Sequence, residues 1–465
     1  MEALMINELP QQRQGLARLG LDQSDVRVLV IGLGVTGLSV IKFLQQNSID
    51  VAVLDSRDNP PGLAEVEADY QDVAVFTGGF EHAVFEVATH IIVSPGISLE
   101  QIEIQAAAER GIPVFGDIDV FAVCVDAPVA CITGSNGKST VTTLLGEMAS
   151  CAGLDVRVGG NLGVPALDLL SGQPADLYVL ELSSFQLERT SQLRATVATV
   201  LNISADHMDR YSSVLSYAGA KERIFYGEGV AIINRQDKAV TSMTLPEGRM
   251  VASFGLDQPQ DGEYGLMLRD GQTYLAKAGY PLIASDELKI KGSHNLQNAL
   301  AAMAMADALH LSHEAQKQAL ISFTGLEHRT QWVAEIKGVT WINDSKATNP
   351  GACLAALEGL QPPIVLIAGG DGKGADFNIL REAIESHVSL AILIGKDAAR
   401  FKQEAILSKP YLMADDIEQA TQLAAKHAVV GNTVLLSPAC ASLDQFANYQ
   451  QRGDRFMAAV RGLKL

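Results

Sequence analysis

The sequence predicts an α/β protein of three domains, and three observations support this fold class. The chain has 465 residues, about three times the usual length of one domain. Short β-branched runs that end in Gly-rich turns recur along it and are followed by helical patterns, which is typical of parallel sheets. Its hydrophobic fraction of 48% and charged fraction of 19% are ordinary for a globular protein and exclude disorder, collagen and coiled coil.

Residues 1–116 are predicted to form a Rossmann-like N-terminal domain. Its first strand, at 26–33, leads through the turn Gly32–Gly37 into a helix at 38–46. A linker-like stretch, Gly111–Gly116, ends the domain. The strands are predicted at residues 26–33, 51–54, 72–76 and 91–94.

Residues 117–325 are predicted to form a central domain of the P-loop, ATPase-like kind. Residues 255–281 are rich in glycine and turns, a helix that begins with serine is expected at 212–225, and the alanine-rich segment 296–309 is expected to be the last clear helix. The strands are predicted at residues 129–133, 177–182, 197–202 and 230–234.

Residues 326–465 are predicted to form a Rossmann-like C-terminal domain, because the pattern of strands and helices restarts after Gly325. If chemical groups are divided among three domains, the third must close onto the second, and we expect a hinge near residues 324–328. The strands are predicted at residues 338–343, 363–368, 390–394 and 434–436.

Charge and cysteine usage limit the functional classes. There are 35 Lys and Arg against 54 Asp and Glu, a formal net charge of −19, which makes nucleic acid and anionic membranes improbable main partners. The segment Met1–Gly20 lacks the apolar core of a signal peptide, and no apolar run is long enough to cross a membrane. We therefore expect a cytoplasmic protein with reduced thiols at Cys124, Cys131, Cys151, Cys353 and Cys440.

The strongest local signal is the loop Gly134-Ser-Asn-Gly-Lys-Ser-Thr140, which lies between a predicted strand and a predicted helix. Backbone N–H groups and a helix N-terminus in this arrangement bind phosphate oxygens, with Lys138 on the outer phosphates and Ser139 or Thr140 offering a hydroxyl to Mg²⁺. Ile132 stands where the strict pattern has glycine, which indicates a shortened subclass. The alternative is a Gly/Ser-rich turn with an incidental lysine.

Further candidate residues follow the neighbouring strands. Glu181 ends a strand at the same edge as the loop and is a candidate metal ligand, although a solvated carboxylate is the alternative. His207 follows the next strand, and taken alone it is more often a structural histidine. Lys221 lies one helix further on. An unmodified ammonium would be repelled by two divalent cations, so Lys221 is either a surface lysine, which the sequence alone favours, or a carbamate with anionic oxygens.

The N-terminal domain contains a complete dinucleotide-binding fingerprint. Gly32-Leu-Gly-Val-Thr-Gly37 follows a strand, and Asp55 ends the next strand. A nicotinamide-dependent oxidoreductase is therefore an alternative. It has no recognisable residues for hydride transfer, and it leaves the second nucleotide site at 134–140 unexplained. A binding or scaffold protein without chemistry, a third possibility, makes little use of Lys221 and the lysines of the third domain.

The whole chain resembles the Mur ligase family, through motifs in all three domains. Several separated motifs in the same order are far more specific than any single one. The motifs of the second and third domains are Thr133–Thr140, Glu181–Leu187, Asn202–Tyr211, Lys221–Phe225, His328–Arg329, Asn343–Asn349, Gly369–Phe377 and Ser437–Phe446.

The resemblance implies ATP-dependent formation of an amide bond through an acyl phosphate. Family members that add L-alanine, a diamino acid or a dipeptide, and a related folate ligase, have the same general plan. The dinucleotide-like first domain and the motif Asn343–Asn349 favour the kind that adds D-glutamate to UDP-N-acetylmuramoyl-L-alanine during peptidoglycan precursor synthesis, and so serves cell wall biogenesis, cell shape and cell division. A monomer is expected.

The resemblance also assigns roles to residues. It makes Lys138, His207 and Lys221 catalytic, and it makes the first, middle and third domains the sites of the UDP-sugar, ATP and the amino acid. Asn295 and Asn298 share one helix face as an adenine-reading pair, with helix capping as the alternative. The expected ATP contacts are Gly134, Asn136, Gly137, Lys138, Ser139, Thr140, Asn295, Asn298, Arg329 and Asp344.

Three further sets follow from the same resemblance. The UDP-substrate contacts are Val35, Thr36, Asp55, Ser56, Arg57, Ser94, Pro95, Gly96 and Asn161. The D-glutamate contacts are Lys346, Thr348, Lys373, Ser442, Leu443 and Tyr449. The ligands of two Mg²⁺ ions are Ser139, Glu181, His207 and carbamylated Lys221.

Overall fold

The computed structural model describes residues 9–290 and 292–463, so the first eight residues of the predicted N-terminal domain lie outside the described part. The strands are β1 (Val28–Ile31), β2 (Val51–Asp55), β3 (Ala74–Thr77), β4 (His90–Val93), β5 (Val114–Phe115), β6 (Val129–Thr133), β7 (Val156–Gly160), β8 (Leu177–Glu181), β9 (Val197–Val200), β10 (Val230–Asn234), β11 (Val251–Phe254), β12 (Glu263–Arg269), β13 (Gln272–Lys277), β14 (Tyr280–Ala284), β15 (Gln331–Ile336), β16 (Val339–Asn343), β17 (Ile364–Gly369), β18 (Val388–Ile394), β19 (Tyr411–Met413) and β20 (Thr433–Leu436).

The α-helices alternate with these strands through most of the chain, as the sequence predicts. They are α1 (Leu9–Arg18), α2 (Val35–Gln46), α3 (Leu63–Asp69), α4 (His82–Val87), α5 (Ile102–Glu109), α6 (Asp117–Cys124), α7 (Lys138–Cys151), α8 (Ser184–Leu187), α9 (Val214–Glu222), α10 (Lys238–Thr241), α11 (Ser293–Ala308), α12 (His313–Ser322), α13 (Pro350–Gly359), α14 (Arg381–His387), α15 (Ala398–Ala405), α16 (Ile417–His427) and α17 (Tyr449–Arg461).

The strands form three sheets, one for each part of the chain. The first sheet is parallel with strand order β3-β2-β1-β4-β5. The second has the order β14-β13-β12-β11-β10-β9-β6-β8-β7, and the third has the order β15-β16-β20-β17-β18-β19. The three-domain α/β prediction is confirmed, and the carboxyl ends of the parallel strands provide the edges at which ligands bind in such sheets.

The prediction of a linker at Gly111–Gly116 is wrong. Val114 and Phe115 form β5, which pairs in parallel with Ile91 and Ile92 of β4. A strand of two residues is too short to show an alternating pattern, so the sequence signal there was only its glycines. The edge of the first sheet therefore extends to the beginning of α6.

The turn-dense reading of residues 255–281 is also wrong, because this segment contains β12 and β13 and leads into β14. The three strands pair antiparallel around two-residue loops, Asp270-Gly271 and Ala278-Gly279. All four loop residues have positive φ, between 49° and 80°, which is the geometry of the tight hairpin turn that fits the twist of paired strands. The glycines thus mark hairpins rather than irregular structure.

The segment 296–309 is a helix, but it is not the last one of the central part. α12 follows α11 after Ser312, whose side chain accepts a hydrogen bond from the N–H of Ala315 as an N-cap. Its Ala315, Ala319 and Leu320 are buried. Small alanine side chains give little hydrophobic periodicity, which explains why the pattern did not reveal this helix.

Apolar packing joins the first two domains and leaves the third separate. One continuous core cluster runs from Val30 in β1 through Phe121 in α6 to Leu180 in β8. In the described ranges, the two core clusters around β17 and β20 contain only residues of the third domain. The third domain therefore meets the rest of the molecule without sharing a hydrophobic core.

No helix within residues 9–290 and 292–463 has the length and apolar character needed to cross a lipid bilayer.

Two helical glycines provide a matched test of how closely α1 packs against α6. A Cβ at Gly15 in α1 would lie 2.1 Å from the carbonyl oxygen of Val123 in α6, whereas a Cβ at Gly219 in α9 would meet nothing within 4 Å. We expect Gly15→Ala to destabilise the protein by about 1–3 kcal/mol through overpacking, and Gly219→Ala to stabilise it by about 0.5–1 kcal/mol. Thermal unfolding midpoints measure both; a raised midpoint for Gly15→Ala would contradict the packing.

Candidate active site

The loop at 134–140 connects β6 to α7, as the sequence predicts, and two of its glycines adopt positive φ. Gly134 has φ 149° and Gly137 has φ 83°. A Cβ on Gly137 would lie 2.3 Å from Oδ1 of Asn298, on α11. Only glycine satisfies both the backbone conformation and this close approach, so α11 lies directly against the loop.

Asn202, at the end of β9, holds the loop in shape. Its Oδ1 accepts a hydrogen bond of 2.8 Å from the N–H of Asn136, and its Nδ2 donates one of 3.1 Å to the carbonyl of Asn136. The N–H of Ser135 donates to the carbonyl oxygen of Asn202. Sequence reasoning did not single out Asn202, although its position directly after a strand at this edge was an available signal.

Two lysines converge on one carbonyl oxygen of the loop. Nζ of Lys138 donates to Gly134 O at 2.8 Å and to Ser135 O at 3.0 Å, and Nζ of Lys221 donates to Gly134 O at 3.0 Å. Lys221 also donates to Oγ1 of Thr133. The surface alternative for Lys221 is wrong, since its exposed fraction is 1%.

Burial and like charge both act on these lysines. Desolvation lowers the pKa of Lys138, although Glu181 and Asp206 oppose this effect. Desolvation, reinforced by the neighbouring Lys138, places the pKa of Lys221 well below its ordinary value. Lys221 is therefore far easier to deprotonate than a surface lysine, and a neutral amine is the form that reacts with electrophiles.

The carboxylate of Glu181 and the hydroxyl of Ser139 in the loop lie side by side. Its Oε2 accepts a hydrogen bond of 2.5 Å from Oγ of Ser139, and its Oε1 accepts one of 2.7 Å from Nδ2 of Asn161. The solvated alternative for Glu181 is wrong, because the residue is 3% exposed. Burial alone would raise its pKa, but Lys138 and the hydrogen bonds of Ser139 and Asn161 lower it. The carboxylate is thus kept ionised, as a metal ligand must be.

Arg329 of the third domain contacts the pair formed by Ser139 and Glu181. Its Nη2 donates a hydrogen bond of 2.6 Å to Oγ of Ser139. Desolvation lowers the pKa of Arg329, although Glu181 opposes this effect. A guanidinium is thereby placed beside the hydroxyl that opens α7.

A cavity of about 280 Å³ lies between the loop, α11 and the third domain. Seven of the expected ATP contacts line it, and the pair Asn295 and Asn298 faces the loop from one helix. Those contacts are Asn136, Gly137, Thr140, Asn295, Asn298, Arg329 and Asp344.

Asp344 belongs to this cavity and is nearly fully buried. Its Oδ2 accepts from Oγ of Ser437 at 2.8 Å, and its Oδ1 accepts from the N–H of Thr330 at 3.0 Å. Burial raises its pKa to about 7 despite these hydrogen bonds and the nearby Arg329. The carboxyl can therefore exchange a proton near neutral pH.

A second cavity of about 280 Å³ lies on the other side of the loop, and all three catalytic candidates line it. It also contains three residues of the third domain that were expected to bind the amino acid. The predicted residues that line it are Asn136, Gly137, Lys138, Ser139, Asn161, Glu181, His207, Lys221, Arg329, Lys346, Thr348 and Lys373.

His207 sits in this second cavity on a strained backbone, with φ 56°. Its ring packs edge-on against Phe185 at 4.8 Å between centroids, and Asp206 Oδ2 lies 3.8 Å from its Nε2. Desolvation lowers the pKa of His207, with Asp206 opposing it. A neutral imidazole can accept a proton or bind a metal.

The residues expected to bind the amino acid fall into two groups: those that line the second cavity and those that do not. The ammonium of Lys346 lies 4.0 Å from the ring centre of Tyr449, and desolvation together with Arg329 lowers the pKa of Lys346 to about 7. Ser442 is buried and Leu443 is 68% exposed, and neither lines either of these cavities. The structure therefore brings Lys346, Thr348 and Lys373 to the second cavity, whereas Ser442, Leu443 and Tyr449 do not line it.

The UDP-substrate candidates lie at the carboxyl edge of the first sheet, and Asp55 is already engaged there. Its Oδ2 accepts a hydrogen bond of 2.7 Å from the N–H of Leu33, and both of its oxygens accept from the guanidinium of Arg57. Burial would raise its pKa, but the hydrogen bonds of Arg57 and Leu33 lower it to about 2. Asp55 thus orders the Gly-rich loop and holds Arg57 at its rim.

Asn161 is held beside Glu181 by a side-chain hydrogen bond. It was expected to reach the sugar part of a substrate, and here its amide donates to Glu181. It lines the second cavity beside that carboxylate. Asn161 therefore orients the candidate metal ligand.

The candidate metal ligands fit one ion better than two. Among residues 9–290 and 292–463 no group of three His, Cys, Asp or Glu side chains is arranged to hold a metal. Mg²⁺ bound with a nucleotide needs only one or two protein oxygens in addition to phosphates and waters, and Ser139 with Glu181 provides them. His207 and Lys221 do not fit a second ion while Lys221 is an amine that donates hydrogen bonds.

The fold and this cleft define a nucleotide-binding protein whose phosphate loop is covered by its own third domain. Three family models match the chain: Mur ligase MurD-like, N-terminal domain, over 26–116; Mur ligase middle domain, over 132–306; and Mur ligase, glutamate ligase domain, over 328–440. The protein belongs to the Mur ligase family.

Known proteins are similar in sequence to this chain over nearly its whole length. The chain is 51% identical over 449 residues to a UDP-N-acetylmuramoylalanine--D-glutamate ligase of Methylococcus capsulatus, covering 97% of each chain. It is 50% identical over 444 residues to the Pseudomonas syringae protein of the same name, covering 95% of this chain and 99% of that one. The oxidoreductase alternative finds no support in these relatives.

Solved structures share the fold at lower identity. A pseudomurein peptide ligase type C from Methanothermus fervidus superposes with a TM-score of 0.61 at 18% identity, over 94% of this chain and 100% of that one. The MurF ligase from Thermotoga maritima in complex with ADP gives a TM-score of 0.60 at 16% identity, over 95% and 97%.

Asn349 forms a polar contact that closes the third domain over the loop. Its Oδ1 caps α13 by accepting from Ala352 N, while its Nδ2 donates to Asn136 Oδ1 at 3.2 Å and to Asp206 Oδ2 at 3.3 Å. Sequence reasoning missed this role, although asparagine before Pro350 was a visible capping signal.

Asn349→Asp keeps the cap but replaces the donor with a carboxylate that faces Asp206. We expect the third domain to open, seen as a larger radius of gyration in X-ray scattering, and ATP affinity to fall about tenfold. Asn448→Asp, at the exposed cap of α17, is the matched control. An unchanged radius in Asn349→Asp would show that this contact does not hold the domains together.

Proposed function

We propose that the protein is an ATP-dependent ligase that joins D-glutamate to UDP-N-acetylmuramoyl-L-alanine. The observation that supports this function most directly is the cleft in which the phosphate loop, Glu181 and the third-domain cations Arg329 and Lys346 meet. The same substrates are supported by the names of relatives whose sequences are about 50% identical to this chain over nearly its whole length.

The reaction has two steps. The carboxylate of the UDP-linked L-alanine attacks the γ-phosphorus of ATP, the bond from that phosphorus to the bridging oxygen breaks, and ADP leaves behind an acyl phosphate. The amine of D-glutamate then attacks the acyl carbon, loses a proton and expels inorganic phosphate. Such transfers depend on positioning and on stabilising negative charge.

The ATP site lies along the first cavity and the loop. Asn295 and Asn298 contact the adenine, Asp344 and Arg329 contact the nucleotide from the third domain, and the loop N–H groups bind the phosphates. Lys138 breaks its hydrogen bonds to Gly134 and Ser135 and binds the γ-phosphate. The remaining loop contacts are Asn136, Gly137, Ser139 and Thr140.

Ser139 and Glu181 would hold an Mg²⁺ ion bound with ATP, and that ion would supply positive charge to offset the phosphates. We further propose that the neutral amine of Lys221 adds to CO₂ and releases a proton to form a carbamate, which its depressed pKa favours. The carbamate and His207 would then hold a second Mg²⁺, which would supply further positive charge for the acyl phosphate. Without this modification, a protonated Lys221 would repel a metal ion bound beside His207.

The three domains share the substrates. Residues 1–116 bind the UDP-sugar, residues 117–325 bind ATP, and residues 326–465 bind D-glutamate and close about a hinge near 324–328. The UDP-sugar contacts are Val35, Thr36, Asp55, Ser56, Arg57, Ser94, Pro95, Gly96 and Asn161. The D-glutamate contacts are Lys346, Thr348, Lys373, Ser442, Leu443 and Tyr449.

As a ligase of peptidoglycan precursors, the protein acts as a monomer in the cytoplasm and supports cell wall biogenesis, cell shape and cell division. Its substrates are small anionic molecules made in the cytoplasm. An acidic chain of net charge −19 repels nucleic acid, so these anions must be captured by local cations in the cleft.

Phosphate release measures this function. We expect release only when ATP, UDP-N-acetylmuramoyl-L-alanine and D-glutamate are all present, and a loss of about 100- to 1,000-fold in kcat for Lys138→Met, which removes a cation from the transferred phosphate. The exposed Lys238→Met serves as control. Turnover with L-alanine in place of D-glutamate, or reduction of a nicotinamide, would overturn the proposal.

The carbamate has its own test. After incubation with ¹³C-bicarbonate, we expect a carbamate carbon resonance that is absent in Lys221→Met and weakens as pH falls, because the ammonium form does not react with CO₂. We expect Lys221→Ala to lose about 10- to 100-fold in kcat and to be partly rescued by short carboxylic acids. Absence of the resonance from the active wild-type protein would exclude the modification.

A further inference from the structure

One partly buried carboxylate, Glu188, connects the edge of the first domain to the segment that carries His207. Its Oε1 accepts hydrogen bonds from Nη2 of Arg189 at 2.9 Å and from Nη2 of Arg210 at 2.7 Å. Its Oε2 accepts from the hydroxyl of Tyr211 at 2.9 Å. The side chain is 17% exposed, so these charge-assisted bonds are largely shielded from solvent.

Both arginines extend from Glu188 to the backbone of the loop after β4. Nη1 of Arg189 donates to Ser94 O at 3.1 Å, and its Nη2 donates to Ile97 O at 2.8 Å. Nη2 of Arg210 donates to the same Ile97 oxygen at 3.0 Å. The first-domain loop at 94–97 is therefore held by side chains of the middle domain.

The same loop is tied to the glycine-rich turn of the first domain. Oγ of Ser94 donates to Gly32 O at 2.9 Å. Gly116 leaves room for the arginine, because a Cβ there would lie 2.7 Å from Cγ of Arg189. A ligand that shifts the turn or the loop must therefore shift the Arg189 guanidinium.

On its other side, Glu188 reaches the second cavity through packed rings. The guanidinium of Arg210 lies 5.1 Å from the ring centre of Phe185, and Phe185 packs edge-on against His207 at 4.8 Å. Tyr211 stacks on Phe185 at 5.9 Å. Chains of packed and hydrogen-bonded side chains of this kind can couple two sites.

We propose that Glu188 is a positioning residue that couples occupancy of the 94–97 loop to the placement of His207. The proposal rests on the proposed function, since it takes the ligand of that loop to be the uridine diphosphate part of the substrate. Glu188 touches no reacting atom in this scheme. It aligns the two arginines, and through Arg210 and Tyr211 it fixes Phe185 against the imidazole.

The test uses UDP, which we expect to bind to the first domain and to leave the second cavity empty. In protein labelled with ¹³C at histidine Cε1, the His207 resonance is assigned by its loss in His207→Gln. We expect saturating UDP to shift this resonance in the wild-type protein. We expect no shift in Glu188→Gln, although calorimetry shows that UDP still binds. Asp257→Asn, which removes a carboxylate paired with Arg235 elsewhere in the middle domain, keeps the shift.

Turnover provides the second measurement. We expect Glu188→Gln to lower kcat about tenfold, within the usual range of coupling between sites, while the KM for ATP stays within about twofold. Tyr211→Phe retains the ring and loses its bond to Glu188. The double variant should lose less than the product of the two single losses, because both act through one network.

The outcomes separate the two proposals. If the wild-type protein releases no phosphate with its three substrates, the proposed function fails, and the coupling fails with it. If the protein is active but UDP does not bind, only the coupling is overturned. If UDP binds and the wild-type protein is active, but the His207 shift is absent or persists in Glu188→Gln, only the coupling is overturned. Multiplicative losses in the double variant would likewise show that Glu188 and Tyr211 act independently.

Discussion

The concentration of positive charge around one loop is the constraint on which the rest of the cleft depends. Lys138 and Lys221 donate to the same carbonyl of Gly134, and Arg329 approaches Ser139 from the third domain. Desolvation lowers the pKa values of all three cations, and neighbouring like charge lowers those of Lys138 and Lys221 further. Glu181 and Asp206 offset part of that repulsion, and a polyanionic ligand would offset more.

The two domain interfaces differ in chemistry, and this difference suits their tasks. A continuous apolar core joins the first and middle domains, so separating them would expose hydrophobic surface. The third domain meets the loop through polar contacts such as Arg329 to Ser139 and Asn349 to Asn136. Water can replace such contacts at small cost. In the proposed reaction, this polar interface is the one that we expect to open for substrates and close for chemistry.

Local patterns predicted much of the fold and part of the site. The phosphate loop, β6 and α7 were readable because glycine, lysine and serine have fixed meanings between a strand and a helix. The hairpins of β12–β14 were missed because the same glycines that indicate loops also form two-residue turns. Asn202 and Arg189 were missed because neither stands in a motif whose spacing reveals its partner. Their partners, Asn136 and Ser94, lie far away in the chain.

The sequence by itself determined the three α/β units, the phosphate loop and the family resemblance, since each depends on residues close together in the chain. Only the tertiary structure decided that Lys221 and Glu181 are buried, because burial depends on which distant segments cover a side chain. It also decided that Asp55 is paired with Arg57 and that Glu188 joins two domains. The sequence records a carboxylate in the same way whether it faces water or two guanidinium groups. Its surroundings decide its charge and its chemistry.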